Sequence, residues 1–196
     1  MNYIDDFFSE LNREVSQPLK IILTGAMAGI VLGSVRPSMD IDFEIEFESP
    51  EKIDEAIRAV SARLNLPAQY SENIQGWSQI SYLNYRESSL LYKKFGKIEV
   101  RVMAPENWTI GKMTRYLPLD IMDISFVLKK RSIDWKPLVN IWARALKQSP
   151  LSDRSREFKD HVMDFLGKEG KKIWGKAFQP EKAVDEFDDL FRRTRK

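Results

Sequence analysis

The segment Leu23-Thr24-Gly25-Ala26, followed after a short spacer by Arg36-Pro37-Ser38-Met39-Asp40-Ile41-Asp42-Phe43, decides how this chain is read. From Met39 to Phe47 the residues alternate strictly, with Ile41, Phe43, Ile45 and Phe47 on one side and Asp40, Asp42, Glu44 and Glu46 on the other. That period of two predicts a half-buried strand with a negatively charged open face. Asp40 and Asp42 then share that face at close range, an unfavourable pairing of like charges that a bound divalent cation relieves. The Gly25-Ala26 turn, ahead of a small-residue helix, can bring backbone N–H groups close to a phosphate. On the residues alone, a bare Asp-x-Asp reads first as an ordinary solvated acidic strand, to which Glu44, Glu46 and Glu48 also belong.

Working outward, Ile4, Phe7, Phe8, Leu11 and Val15 recur at helical spacing and predict an amphipathic helix over 4–15 ending before Pro18. Lys20 to Thr24 predicts a short buried strand, and Ala26 to Leu32 a helix leaning on the sheet. Ser49-Pro50-Glu51 is a helix start, with Ser49 as N-cap and Pro50 in the first turn, and Ile53, Ala56, Ile57, Val60 and Leu64 form its apolar stripe. Ser78–Tyr85, Ser89–Phe95 and Lys97–Met103 predict three more strands, with Gly96 as a turn or bulge. Helical patterns cover Pro105–Tyr116, Asp120–Lys130, Trp135–Lys147, Asp153–Leu166 and Glu181–Arg193, with breaks near Ser149-Pro150 and from Gly167 to Gly170. The expected architecture is α+β: a mixed sheet flanked by helices over residues 1–130, then a helical C-terminal region over residues 131–196.

Composition narrows the chemistry. The 196 residues suffice to bury a real core, and no stretch approaches the roughly 18 apolar residues of a membrane span. The N-terminus has no basic region followed by an apolar run, so the expected location is the cytoplasm, with no membrane partner. There is no cysteine and one histidine, His161, so any metal must be held by oxygen, which favours Mg2+ or Mn2+. The net charge of +2 conceals an asymmetry: residues 1–128 hold 13 Lys/Arg and 18 Asp/Glu, whereas residues 129–196 hold 18 and 11. A basic C-terminal half beside an acidic lobe suits a polyanion such as RNA or a nucleotide, and equally a solvated helical surface.

The order of strand, Gly-small turn, helix, Arg-x-Ser and Asp-x-Asp resembles the nucleotidyltransferase superfamily related to DNA polymerase beta. Within it the chain is most similar to the AbiEii toxin type and its relatives, through Gly33, Arg36, Ser38, Asp40, Asp42 and Phe43. Ala26 stands where that pattern has a second glycine. A second likeness lies in Lys112-Met113-Thr114-Arg115 followed by Asp120-Ile121-Met122-Asp123-Ile124, although Leu119 stands where relatives carry a basic residue.

The resemblance implies a nucleotidyltransferase-like fold and metal-dependent transfer of a nucleoside monophosphate from a nucleoside triphosphate to a hydroxyl of RNA, tRNA among the candidates, or of a protein. It also implies a toxin role with a cognate antitoxin. Asp40 and Asp42 would hold magnesium, with Glu99, on the polar side of Lys97–Met103, as the expected third carboxylate and ligand of a second ion. Gly25 and Ala26 would offer backbone donors, and Arg36, Ser38 and Lys112 would position the triphosphate. Asp120 and Asp123 would anchor the helix pair.

The alternative function is a catalytically weak or inactive module of the same fold that binds a nucleotide or a protein; RNA binding by the basic C-terminal helices alone is a further option. His161, between Phe158 and Phe165 at helical spacing, reads as a packing residue. Trp135, Trp142, Trp174, Phe178, Phe187 and Phe191 read as helical core, and Phe191 to Lys196 as a basic tail able to meet nucleic acid.

Overall fold

A computed structural model describes residues 3–48 and 52–192. The helix start expected at Ser49-Pro50-Glu51 and the tail residues 193–196 lie outside the described residues. Among the described residues the fold is α+β, with a five-stranded mixed sheet, flanking helices and a C-terminal helical region. The strands are β1 (Leu19–Thr24), β2 (Ile41–Phe47), β3 (Ala68–Ser71), β4 (Leu90–Phe95) and β5 (Ile98–Val102), in the order β3-β2-β1-β5-β4. β1 runs antiparallel to β2 and parallel to β5; β3 lies parallel to β2, and β4 antiparallel to β5.

The chain divides into two compact units. The first comprises the described residues of Met1–Val31, Arg36–Ile74 and Arg86–Ala104, and contains the sheet. The second comprises Leu32–Val35, Gln75–Tyr85 and the described residues from Pro105 onward. Residues 105–130, assigned from the sequence to the first domain, therefore cluster with the helices of the second unit.

In the first unit the register sorts the residues by face. Ile21 pairs with Ile45 and Val100, and Leu23 with Phe43 and Val102, so these apolar side chains form one buried layer. α1 (Tyr3–Glu14) contributes Phe7, Phe8 and Leu11, and α3 (Ile53–Leu64) contributes Ile57 and Val60, all buried. Phe43 is packed by Phe7 and Phe8 at 6.2 and 6.0 Å between ring centroids and stacks on Tyr70 of β3 at 5.7 Å. At the β4 edge, Lys93 reaches Asp5 at 2.7 Å and the register shifts between Leu91 and Lys93. A charge and a bulge both discourage another strand from adding to that edge.

The second unit is built from α5 (Pro105–Arg115), α6 (Pro118–Arg131), α7 (Trp135–Gln148), α8 (Asp153–Trp174) and α9 (Pro180–Arg192). Trp108, Trp142, Phe158, Phe165 and Phe187 are fully buried there, and the Trp142 indole N–H donates to Thr109 Oγ1 at 2.9 Å. His161 packs as expected, with Nδ1 2.8 Å from the Met113 carbonyl oxygen and its ring stacked on Tyr116.

Two expectations of secondary structure are corrected, and one strand is added to them. Residues 78–85 form no strand among the described residues. Their backbone groups are met by side chains: Gln75 Oε1 accepts from Tyr82 N–H at 2.7 Å, Ser149 Oγ from Ser81 N–H at 2.8 Å, and Asn107 Oδ1 from Leu83 N–H at 2.8 Å. With its donors so occupied, the segment needs no neighbouring strand. β3, which the sequence reading did not anticipate, takes the sheet position beside β2. Finally, α8 continues through the expected break at Gly167–Gly170 to Trp174. Gly170 lies against the Phe178 ring, where an added Cβ would come within 2.1 Å of Cε1, so this glycine serves packing within a continuous helix.

Candidate functional site

β1 ends at Thr24 and α2 (Gly25–Leu32) begins at the next residue, a turn sharp enough to place Gly25 at φ +62°. Thr24 pairs with Asp42, which brings the Asp42 carboxylate against the Gly25 Cα. A Cβ on Gly25 would lie 1.9 Å from Asp42 Oδ2. Both the left-handed backbone and the missing side chain are therefore required for the carboxylate to occupy the entrance of α2. Ala26 is the second residue of that helix and is half-buried.

Asp40 sits in the bend preceding β2. The Ser38 hydroxyl lies 2.9 Å from Asp40 Oδ1 and 3.0 Å from the Asp40 carbonyl oxygen, and so orients this carboxylate. Arg36 is half-buried in the same connection between α2 and β2. The first unit thus gathers Gly25, Ala26, Arg36, Ser38, Asp40 and Asp42 in the turn and in the strand entry that follows it.

Glu99 is not brought to this end of the sheet. It is in register with Lys20, which itself pairs with Glu46, four residues along β1 from the Thr24–Asp42 pair. At ~3.3 Å per residue that is about 13 Å along the strand. Its carboxylate engages Arg101 at 3.1 Å and Lys94 at 3.2 Å, and these two cations hold its pKa below the ordinary glutamate value. It borders a groove of about 500 Å3 with Lys20, Glu46, Lys94 and Lys97. At the level of Asp42, the β5 side of β1 continues past Val102 into Met103, a fully buried apolar residue whose N–H donates to Leu23 O at 3.0 Å. Alternation along β5 identified the face of Glu99 correctly, and the register between distant strands sets its level.

Glu44 also departs from the solvated strand expected of it. It is buried, with Oε2 accepting from Ile74 N–H at 3.0 Å and Oε1 from Arg86 Nε at 2.6 Å. This carboxylate ties the chain after β3 and the short helix α4 (Tyr85–Ser88), which carries Arg86, to the open face of the sheet. Nothing in the local sequence distinguishes it from Glu46, because both partners come from remote segments.

Lys112 belongs to the second unit, where it is 3% exposed. Its ammonium donates to Asp120 Oδ1 at 3.0 Å and Asp123 Oδ2 at 2.9 Å, and stands 5.3 Å from the centre of the Trp108 ring. Arg115 adds a 2.7 Å contact to Asp120 Oδ1, and Ser34 Oγ donates to Asp123 Oδ1 at 2.7 Å. Two buried carboxylates are thus matched by two cations and a hydroxyl, an arrangement that joins α5 to α6 and secures the Leu32–Val35 segment. Arg131 Nε donates to Leu32 O at 2.9 Å, reinforcing the same attachment. The expected anchoring by Asp120 and Asp123 and the phosphate-facing Lys112 resolve into a single buried network.

Oxygen donors in the first unit suit a hard cation. Among the described residues no group of three or more His, Cys, Asp or Glu side chains could hold a metal. Asp40 and Asp42 are the two carboxylates at the start of β2 that could hold such a cation, since magnesium commonly takes one or two from a protein. No protein-family model, no characterised protein and no solved structure matches the chain.

Proposed function

We propose that the first unit is a nucleotidyltransferase-type site, related to the superfamily of DNA polymerase beta and its AbiEii branch, that binds a nucleoside triphosphate with magnesium. Its reaction is transfer of the nucleoside monophosphate to a hydroxyl of RNA or of a protein, and the toxin role with a cognate antitoxin belongs to the same proposal. The observation that carries it is the contact between Gly25 and Asp42, which sets a carboxylate beside the N-terminal end of α2.

Magnesium held by Asp40 and Asp42 would supply charge neutralisation for the phosphates. The chain's own residues do the positioning. Ser38 fixes Asp40, the N-terminal end of α2 would carry the partial positive charge that favours a phosphate, and Arg36 would add a cation. In the transfer, the acceptor oxygen bonds to the α-phosphorus as its proton departs; the bond to the bridging oxygen breaks, and pyrophosphate leaves with the electron pair.

A second reading, a nucleotide- or protein-binding module with little turnover, is favoured by one observation. Met103 stands at the level of Asp42 on the β5 side, and Glu99 is four residues away. One experiment separates the two. The protein is incubated with magnesium, each α-labelled nucleoside triphosphate, and total tRNA or cell lysate. Transfer of label with stoichiometric pyrophosphate supports the enzyme. Magnesium-dependent nucleotide binding without pyrophosphate release supports the binding module. Labelling that survives Asp40→Ala combined with Asp42→Ala overturns the site.

A further inference from the structure

The first two turns of α6 reverse the usual arrangement of a surface helix. Asp120 and Asp123 are buried, 1% and 4% exposed, while Leu119, Met122 and Phe126 are 50%, 66% and 43% exposed. The spacing of 119, 122 and 126 sets the three on one stripe. The inner face is explained by Lys112 and Arg115, which neutralise the two carboxylates. Among the described residues the outer face has no such account. These three large side chains make a short exposed apolar stripe, on the scale of the largest apolar patch of an ordinary monomer, which is often functional.

The stripe ends on Lys129 and Lys130, both exposed and neither ion-paired with any described residue. No exposed carboxylate lies on α6, because its two aspartates are the buried pair. Charge then selects the occupant. A second copy docked antiparallel through a two-fold axis would set each Lys129-Lys130 end against Leu117 and Leu119, which carry no balancing charge. A helix lying in a membrane surface carries basic residues along both flanks of its apolar face, whereas these lysines are confined to one end. RNA would meet Leu, Met and Phe over most of the length.

We infer that the outer face of α6 is a docking surface for an amphipathic helix of another protein, its apolar stripe laid along Leu119, Met122 and Phe126 and its acidic residues opposite Lys129 and Lys130. Eleven residues separate Leu119 from Lys130, about 17 Å at ~1.5 Å per residue, so a partner helix of four turns covers the seam. This inference stands on the second unit alone and is independent of the nucleotide reading.

The test uses the full chain and two dye-labelled designed helical peptides with the same Leu/Met stripe, one with glutamates and the other with lysines at the remaining positions. Fluorescence anisotropy should show the glutamate peptide binding at least about tenfold tighter than the lysine peptide, with the preference shrinking as salt rises. Met122→Glu combined with Phe126→Glu should abolish binding while leaving the melting temperature unchanged. Lys129→Glu combined with Lys130→Glu should reverse the peptide preference. Equal binding of both peptides, binding of neither, or indifference to the Met122 and Phe126 substitutions overturns the inference. So does a sedimentation mass twice that of the chain, or co-sedimentation with phosphatidylserine vesicles, where either is lost in the same double variant.

Discussion

The first unit carries Asp40 and Asp42 at the turn into α2, and the second carries Asp120 and Asp123 on α6. In sequence the two pairs look alike, each two aspartates in a short motif near a basic residue. In the structure their settings are opposite. Asp120 and Asp123 are buried and satisfied by Lys112, Arg115 and Ser34, so their charges are balanced within the fold. Asp40 is half-exposed, its described partner being the Ser38 hydroxyl, and Asp42 presses on a glycine at the start of a helix. Asp120 and Asp123 spend their carboxylates on holding helices together in the interior, whereas Asp40 and Asp42 stand half-buried at the start of β2. The two acidic pairs are therefore told apart by their depth of burial.

Removing a compensating charge should separate them most sharply. Lys112→Met takes the ammonium from both buried carboxylates, leaving Arg115 at Asp120 and the Ser34 hydroxyl at Asp123, and breaking a buried pair in this way typically costs about 3–5 kcal/mol. Urea unfolding should show that loss, and adding Asp120→Leu and Asp123→Leu should recover most of it. Asp40→Asn should change stability by less than about 0.5 kcal/mol while abolishing magnesium-dependent nucleotide binding. A large stability loss from Asp40→Asn would erase the contrast between the two pairs.

Gly25→Ala comes next. The left-handed backbone alone costs a non-glycine residue about 1–2 kcal/mol, and the added Cβ would also drive the Asp42 carboxylate from its place. Thermal melts should show the first effect, and titration calorimetry with magnesium and a nucleoside triphosphate should show the second as lost binding. Alanine tolerated with binding intact would mean that Asp42 is not held by this contact.

Much of the first unit was legible because its signals are local. Strict alternation identified the faces of β2 and β5, the Ile4–Leu11 stripe identified α1, and the Gly25 to Asp42 spacing named the turn and strand that meet. Other features depend on distant partners. β3 has only four residues and acquires its role from Ile41 to Glu44 beside it. Residues 78–85 alternate like a strand, yet the side chains that satisfy them come from Gln75, Asn107 and Ser149. The burial of Glu44 and Lys112 depends on Arg86 and on the α5–α6 packing, which local spacing does not encode.

Ser34 gives a smaller test. Its hydroxyl joins Asp123, and with Arg131 it ties the Leu32–Val35 segment to α6 immediately before Arg36, Ser38 and Asp40. Ser34→Ala should cost about 1 kcal/mol, the usual scale of one hydrogen bond. In hydrogen exchange the amides of residues 32–35 should exchange faster while those of Ile21 and Val100 keep their protection. Unchanged exchange at 32–35 would show that the segment holds its place without this bond.

The smallest effect is expected at Glu99, and it decides whether the acidic site extends along the sheet. Arg101 and Lys94 depress its folded-state pKa, so ionised Glu99 adds stability above its unfolded pKa, and the contribution is lost as pH falls through the depressed folded value. Glu99→Gln should therefore cost no more than about 1 kcal/mol at neutral pH, less in high salt, and the deficit should shrink as pH falls below the ordinary glutamate pKa of about 4.3 and vanish below the depressed folded value. Magnesium-dependent nucleotide binding should be unchanged, because four residues of strand separate Glu99 from the Thr24–Asp42 pair. Loss of that binding with stability intact would return Glu99 to the site; a loss that instead follows the pH dependence of the ion pair leaves it a surface contact of β5.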